Sequence, residues 1–184
     1  MICEAKMRRL LFKNLISGPL SEPRKAGTNL DLGLAAGRLD RAAHKRLGRS
    51  LSIRVVDAGS CNGCELEIAA LSNAFYDLER FGLRFVASPR HADVLLVTGP
   101  VTSNMREALE RTYFSTPDPK WVVAVGDCAR DGGVFAKSYA VQGGVSKVLA
   151  VDLHIPGCPP RPDDLLDGLL WLMENAAIGN AVGH

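Results

Sequence analysis

The 184-residue chain has no apolar run long enough to cross a bilayer, because Asp, Arg or Gly interrupts every hydrophobic stretch well short of the roughly 18 residues a spanning helix needs. It is therefore expected to be soluble or peripheral to a membrane. Aromatics supply only 6% of residues, and the basic first fifty residues lack the stacking surface of single-strand binders. No nucleic-acid-binding motif follows that region, so nucleic acid is not an expected partner. The pairs Gly132-Gly133 and Gly143-Gly144 form neither a dinucleotide fingerprint nor a phosphate loop. No Ser/His/Asp triad spacing is present, so no catalytic residue is assigned. Internal repeats and low-complexity segments are absent as well.

Five cysteines, an odd number, do not make the disulfide framework of a small secreted domain, and 47% hydrophobic content is enough for an ordinary core. A reducing compartment is expected. The start Met7-Arg-Arg-Leu-Leu-Phe-Lys13 has some likeness to a twin-arginine signal, and the acid-poor leader to a transit peptide. Lys13, Asn14 and Gly18 break the would-be apolar region, however, and it reaches Pro19 without a small-residue cleavage site. Export is not expected.

The net charge of +2 conceals an asymmetry. Residues 1–50 hold eleven bases against Glu4, Glu22, Asp31 and Asp40, leaving eleven of the 22 bases and sixteen of the 20 acids for the rest. Such an arm is expected either to touch an anionic membrane face or acidic partner, or to be a solvated leader. Two weak helical stretches, 6–16 and 30–47, flank a Gly/Pro breaker.

From Leu51 onward, short apolar runs alternate with helical periods. Strands are predicted at 53–56, 83–87, 94–98, 121–125 and 147–153. Helices are predicted from about Cys64 along a stripe reaching Leu78, over 103–114, and over 163–177. This alternation predicts an open parallel sheet of four or five strands with helices on both faces. The expected organisation is a basic N-terminal arm at 1–50, one α/β domain at 51–178 and a tail at 179–184.

Cys61-Asn-Gly-Cys64, Gly126-Asp-Cys128 and Pro156-Gly-Cys-Pro-Pro160 each follow a predicted strand. In an open parallel sheet, loops past the strands' carboxyl ends share one edge, so Cys61, Cys64, Cys128 and Cys158 are expected to converge there. Four soft thiolates in glycine-bearing loops read as a cage for an iron–sulfur cluster. Zinc, or free buried or redox cysteines, are the alternatives at this point. Cys3 reads as an incidental thiol. His91 reads as a loop histidine, and His44, His154 and His184 have no partner spacing. Glu65 and Glu67 are explained by the dipole of a first helical turn, with a proton relay at Glu67 the lesser reading. Asp127 and Asp131 read as turn residues.

Cys61-Asn-Gly-Cys-Glu-Leu-Glu-Ile68, Arg80-Phe-Gly82, Ser88-Pro-Arg-His-Ala-Asp93, Gly126-Asp-Cys128 with Gly132-Gly133, and Ile155-Pro-Gly-Cys-Pro-Pro160 together resemble a known family. It is the small electron-transfer subunit shared by membrane-bound [NiFe] hydrogenases and respiratory complex I. The resemblance implies a flavodoxin-like domain holding one [4Fe–4S] cluster through Cys61, Cys64, Cys128 and Cys158. It also implies docking on a large subunit, either the Ni–Fe subunit of a hydrogenase or the 49 kDa-type subunit of complex I, beside a ferredoxin-like subunit. The place implied is peripheral, on the cytoplasmic side of the inner membrane, with the membrane module or anionic lipid as partner of residues 1–50. The complex I members of the family carry adjacent cysteines at the first phrase, whereas Cys61-Asn-Gly-Cys64 is similar to the formate hydrogenlyase and hydrogenase-4 type. The expected function is thus an electron relay in a hydrogenase-like oxidoreductase. The equivalent 20 kDa-type subunit of a complex I-like NADH-quinone oxidoreductase is the alternative, and a non-redox zinc or scaffold module the alternative of another class.

Overall fold

The computed structural model describes residues 32–175. Five parallel strands form its sheet: β1 (Ser52–Asp57), β2 (Arg84–Phe85), β3 (Val94–Thr98), β5 (Trp121–Val125) and β7 (Leu153–Ile155), in spatial order β2-β1-β3-β5-β7. A separate antiparallel pair joins β4 (Val101–Thr102) to β6 (Val141–Gly143). The helices are α1 (Leu32–Leu47), α2 (Gly63–Ala70), α3 (Ser103–Ser115), the single turn α4 (Asp127–Asp131) and α5 (Pro162–Asn175).

β3 and β5 are buried along their whole length, as central strands covered on both faces must be. Their side chains divide by the two-residue strand period. Val94, Leu96, Trp121 and Val123 join the cluster under α1, α2 and α5, while Leu95, Val97, Val122 and Ala124 join the cluster under α3 and α4. The register Ile53↔Val94↔Trp121 aligns the three strand starts. Asp93, just before β3, fixes that end of the sheet: its buried carboxylate takes a fork from Arg49 at 2.9 and 2.5 Å and the Ser52 N–H at 2.9 Å.

Three expectations change. Residues 32–47, read as part of a docking arm, belong to the core: Ala36, Leu39 and Ala43 recur at helical spacing and are fully buried in the cluster that contains α5. The core therefore starts well before residue 51. α2 stops at Ala70 rather than running to Leu78, because the Asn73 side chain accepts the Phe75 and Tyr76 N–H groups at 2.8 and 3.0 Å and turns the chain. Leu71 and Leu78 still reach the core from that turn. The strand expected at 147–153 lies at β7 instead. Val148, Leu149 and Val151 are apolar because they pack under the sheet, not within it. The stretch 6–16, Cys3, residues 176–177 of the predicted last helix and the tail 179–184 lie outside the described residues.

Leu39→Ala removes a fully buried side chain from the seam of α1 with the sheet and α5, and should cost about 2–4 kcal/mol. Chemical denaturation of the two proteins measures it; a loss under about 0.5 kcal/mol would place α1 outside the cooperative core.

Candidate functional site at the sheet edge

β1, β5 and β7 end at Asp57, Val125 and Ile155, and the three cysteine phrases begin at once beyond them. The last two loops are tied together by backbone bonds. Gly126 N–H donates to Ile155 O at 2.8 Å and Asp127 N–H to Gly157 O at 2.9 Å, while Gly157 N–H returns to Asp127 Oδ1 at 3.3 Å. The first loop is shaped by Asp57, whose Oδ1 accepts the Gly59 and Ser60 N–H groups at 2.7 Å each. Asn62 then turns left-handed, at φ 69°, to start α2. Cys64 sits in the first turn of α2.

The four thiols act on one another. Burial pushes the Cys64 thiol from 9.0 up to about 12, with Glu65 and then Cys61, Cys128 and Cys158 adding to the rise. Burial likewise raises Cys128, with Cys158 and Cys61 contributing. Cys128 is buried, Cys64 half-buried, and Cys61 and Cys158 are exposed, none of them in a disulfide. The topology thus brings together all four predicted ligands.

Two glycines are obligatory here. Gly126, at φ 86°, would put a Cβ 2.8 Å from Cys64 Sγ, and Gly133, at φ 49°, would put one 2.8 Å from Cys128 Sγ. Asp131 holds the second loop by accepting the Gly133 N–H at 2.9 Å, and that bond, aided by Arg130, keeps its carboxyl below the ordinary range.

Glu65 is more than a dipole partner for α2. The buried Thr98 hydroxyl donates to its Oε1, whereas its Oε2 is buried without a hydrogen-bond partner. The order Thr98-Gly99 at a strand end gave a weak signal of this, since only the sheet order puts β3 beside the first loop. His154, without partner spacing in sequence, lies on β7 with Nε2 3.2 Å from Gly126 O. His91 stays in a surface turn. Glu67 is not buried, unlike its neighbour Ile68. His184 lies outside the described residues.

A sequence profile described as NADH ubiquinone oxidoreductase, 20 Kd subunit, matches residues 61–172, a span that contains all four cysteines. The chain belongs to that family. It is 47% identical over 133 residues to the "probable membrane-bound hydrogenase subunit" of Pyrococcus furiosus, covering 72% of this chain and 80% of that one. It is 49% identical over 133 residues to formate hydrogenlyase subunit 7 of Escherichia coli, covering 71% of this chain but 52% of that longer protein. A chain of the membrane-bound sulfane sulfur reductase, an archaeal respiratory membrane complex, superposes with TM-score 0.62 at 40% identity, covering 74% of each. Members of this 20 kDa subunit family are parts of oxidoreductase complexes, and the α/β sheet is common to them.

In the metal-free protein at pH 8, the exposed Cys61 and Cys158 should be alkylated by iodoacetamide before Cys64 and Cys128, since burial limits access to both of the latter and raises their thiols above the ordinary range. The shift at Cys64 makes the metal-free fold less stable as pH rises from 9.0 toward about 12, because the unfolded chain releases that proton first. Peptide mapping gives the order; Cys64 reacting as fast as Cys61 would contradict it.

Proposed function

We propose that this chain holds one [4Fe–4S] cluster through Cys61, Cys64, Cys128 and Cys158 and relays single electrons in a hydrogenase-type complex. One observation carries the reading: four mutually interacting thiols at one edge of a parallel sheet, in loops kept open by glycine. Among the described residues, no three His, Cys, Asp or Glu side chains close as tightly as a single metal ion requires. Four soft thiolates in glycine-bearing loops suit an iron–sulfur core.

When bound, such a cluster supplies one-electron chemistry. The protein supplies the rest. Four thiolates would fix its position, and the apolar core packed against Cys64 would keep water from that side. Since Cys64 and Cys128 are protonated in the free protein, loading must release protons, which makes assembly dependent on pH.

One cluster makes a relay, so donor and acceptor lie on other chains. The proposed partners are a large subunit carrying the Ni–Fe centre, a ferredoxin-like subunit, and a membrane module. Among the described residues no helix is long and apolar enough to cross a membrane. A peripheral place on the cytoplasmic side belongs to the same proposal, with the membrane module as partner of the basic residues before α1. The Cys61-Asn-Gly-Cys64 spacing favours the hydrogenase branch. The equivalent subunit of an NADH-quinone oxidoreductase is the second reading, supported by the description of the family itself.

Anaerobically purified protein should contain about four irons and four sulfides and give a reduced-state EPR signal. Cys128→Ser should lose or convert that signal while keeping the fold, because most of the core is independent of the loop. A full [4Fe–4S] signal in Cys128→Ser would remove Cys128 from the ligand set, and zinc in place of iron would sink the cluster reading.

A further inference from the structure

The fold accounts for only some of the positive charge on α1. Arg46 donates to Leu172 O and Met173 O at 3.0 and 2.9 Å, at the negative end of α5, and lies 5.9 Å from the centre of the Trp121 ring. Arg38 pairs with Glu174 at 2.8 Å and also faces Asp167. Arg41 and Lys45 are exposed, and neither meets a carboxylate among the described residues. These four cations line one hollow of about 600 Å³ between α1 and the last turn of α5, where Glu174 is the one carboxylate among the described residues.

Stability does not explain this stripe. Like charges three and four residues apart on a helix repel, and the end of α5 is already served by Arg46. Arg41 and Lys45 thus add repulsion with no return within the described fold. The positive charge also continues in sequence, since Lys6, Arg8, Arg9, Lys13, Arg24 and Lys25 precede α1 against only three acids.

We propose that this groove seats the chain on an anionic lipid surface, with headgroup phosphates held by Arg41 and Lys45 and flanked by Arg38 and Arg46. Three observations favour lipid. The hollow is concave and rimmed by long flexible cations, as suits mobile phosphates. No described helix is long and apolar enough to cross a bilayer, so what the described fold offers a membrane is a surface. The related hydrogenase subunit and the superposed reductase are named as membrane-bound. The groove is also well separated from the cysteines. α5 starts just after Pro160, at the cysteine edge, and its fourteen residues carry its other end about 20 Å away. Lipid contact there leaves the cysteine edge free for protein partners.

The test is flotation of the full-length protein with phosphatidylcholine vesicles, with and without phosphatidylglycerol. Binding is expected only with the anionic lipid and should weaken with salt. The double variant R41Q/K45Q should bind anionic vesicles roughly tenfold or more weakly with unchanged thermal unfolding, since neither side chain has a partner in the described fold. Undiminished vesicle binding by R41Q/K45Q overturns the proposal. So does binding lost only when Lys6, Arg8, Arg9, Lys13, Arg24 and Lys25 are neutralised, which would move the contact to the leader. Indifference of the wild type to phosphatidylglycerol, with R41Q/K45Q impairing co-purification of a partner subunit, would overturn lipid in favour of an acidic protein surface. Iron content measured on the same samples keeps a failed cluster reading distinct from a failed groove.

Discussion

Four thiols on loops spread from Cys61 to Cys158 meet because β1, β3, β5 and β7 pair in parallel, so that every carboxyl end lies on the same edge. An antiparallel neighbour would send its following loop to the opposite end and leave a ligand missing. The aligned register of Ile53, Val94 and Trp121, pinned by the Arg49 fork on Asp93, makes the strand ends level. The site is therefore a consequence of the sheet, and core packing sets its geometry. The cost appears in the thiols, because the apolar backing that holds Cys64 and Cys128 also opposes their ionisation.

That opposition links the site's two states. Without a metal, Cys64 and Cys128 rest as neutral thiols, and four negative charges never crowd together. Were the proposed cluster bound by Cys61, Cys64, Cys128 and Cys158, its positive core would supply the thiolates with a counter-charge that the protein does not provide. No described Lys or Arg contributes to the Cys64 or Cys128 shifts. The loops bring instead backbone and small residues: Gly126 and Gly133 leave open the volume next to Cys64 and Cys128 that a Cβ would fill.

Much of this was legible in the sequence because it follows from period and composition. Continuous apolar runs at 94–98 and 121–125 are central strands wherever helices cover both faces, and the glycine-flanked cysteines follow strands by simple order. What escaped has equally physical reasons. Val148, Leu149 and Val151 carry the composition of a strand but serve as packing beneath one, and an apolar run does not reveal which. The stop after Ala70 rests on one side-chain acceptor, Asn73, which competes locally with a strong helical stripe. The helix at α1 is legible as the stretch 30–47 but its burial is not: eleven bases in residues 1–50 mark an arm, whereas the short stripe of Ala36, Leu39 and Ala43 is enough to bury one face. Thr98 reaching Glu65 depends on which strands are neighbours, which no local pattern contains.

One helix, α5, explains how the two ends of the molecule can differ so much. It opens at the cysteine edge with Asp163 and Asp164 in its first turn and closes at the far end against Arg46 and Arg38. Each end is matched to the helix dipole, so the acidic start and the basic finish are both favourable to the fold. Polarity along α5 therefore comes without loss of stability until Arg41 and Lys45 are added, and these exceed what the dipole requires. A chain that relays electrons through the proposed cysteine site would have to meet its electron partners on that side. Attachment through the opposite end is the arrangement that leaves that side uncovered, and the surplus charge on α1 stands where such attachment needs it.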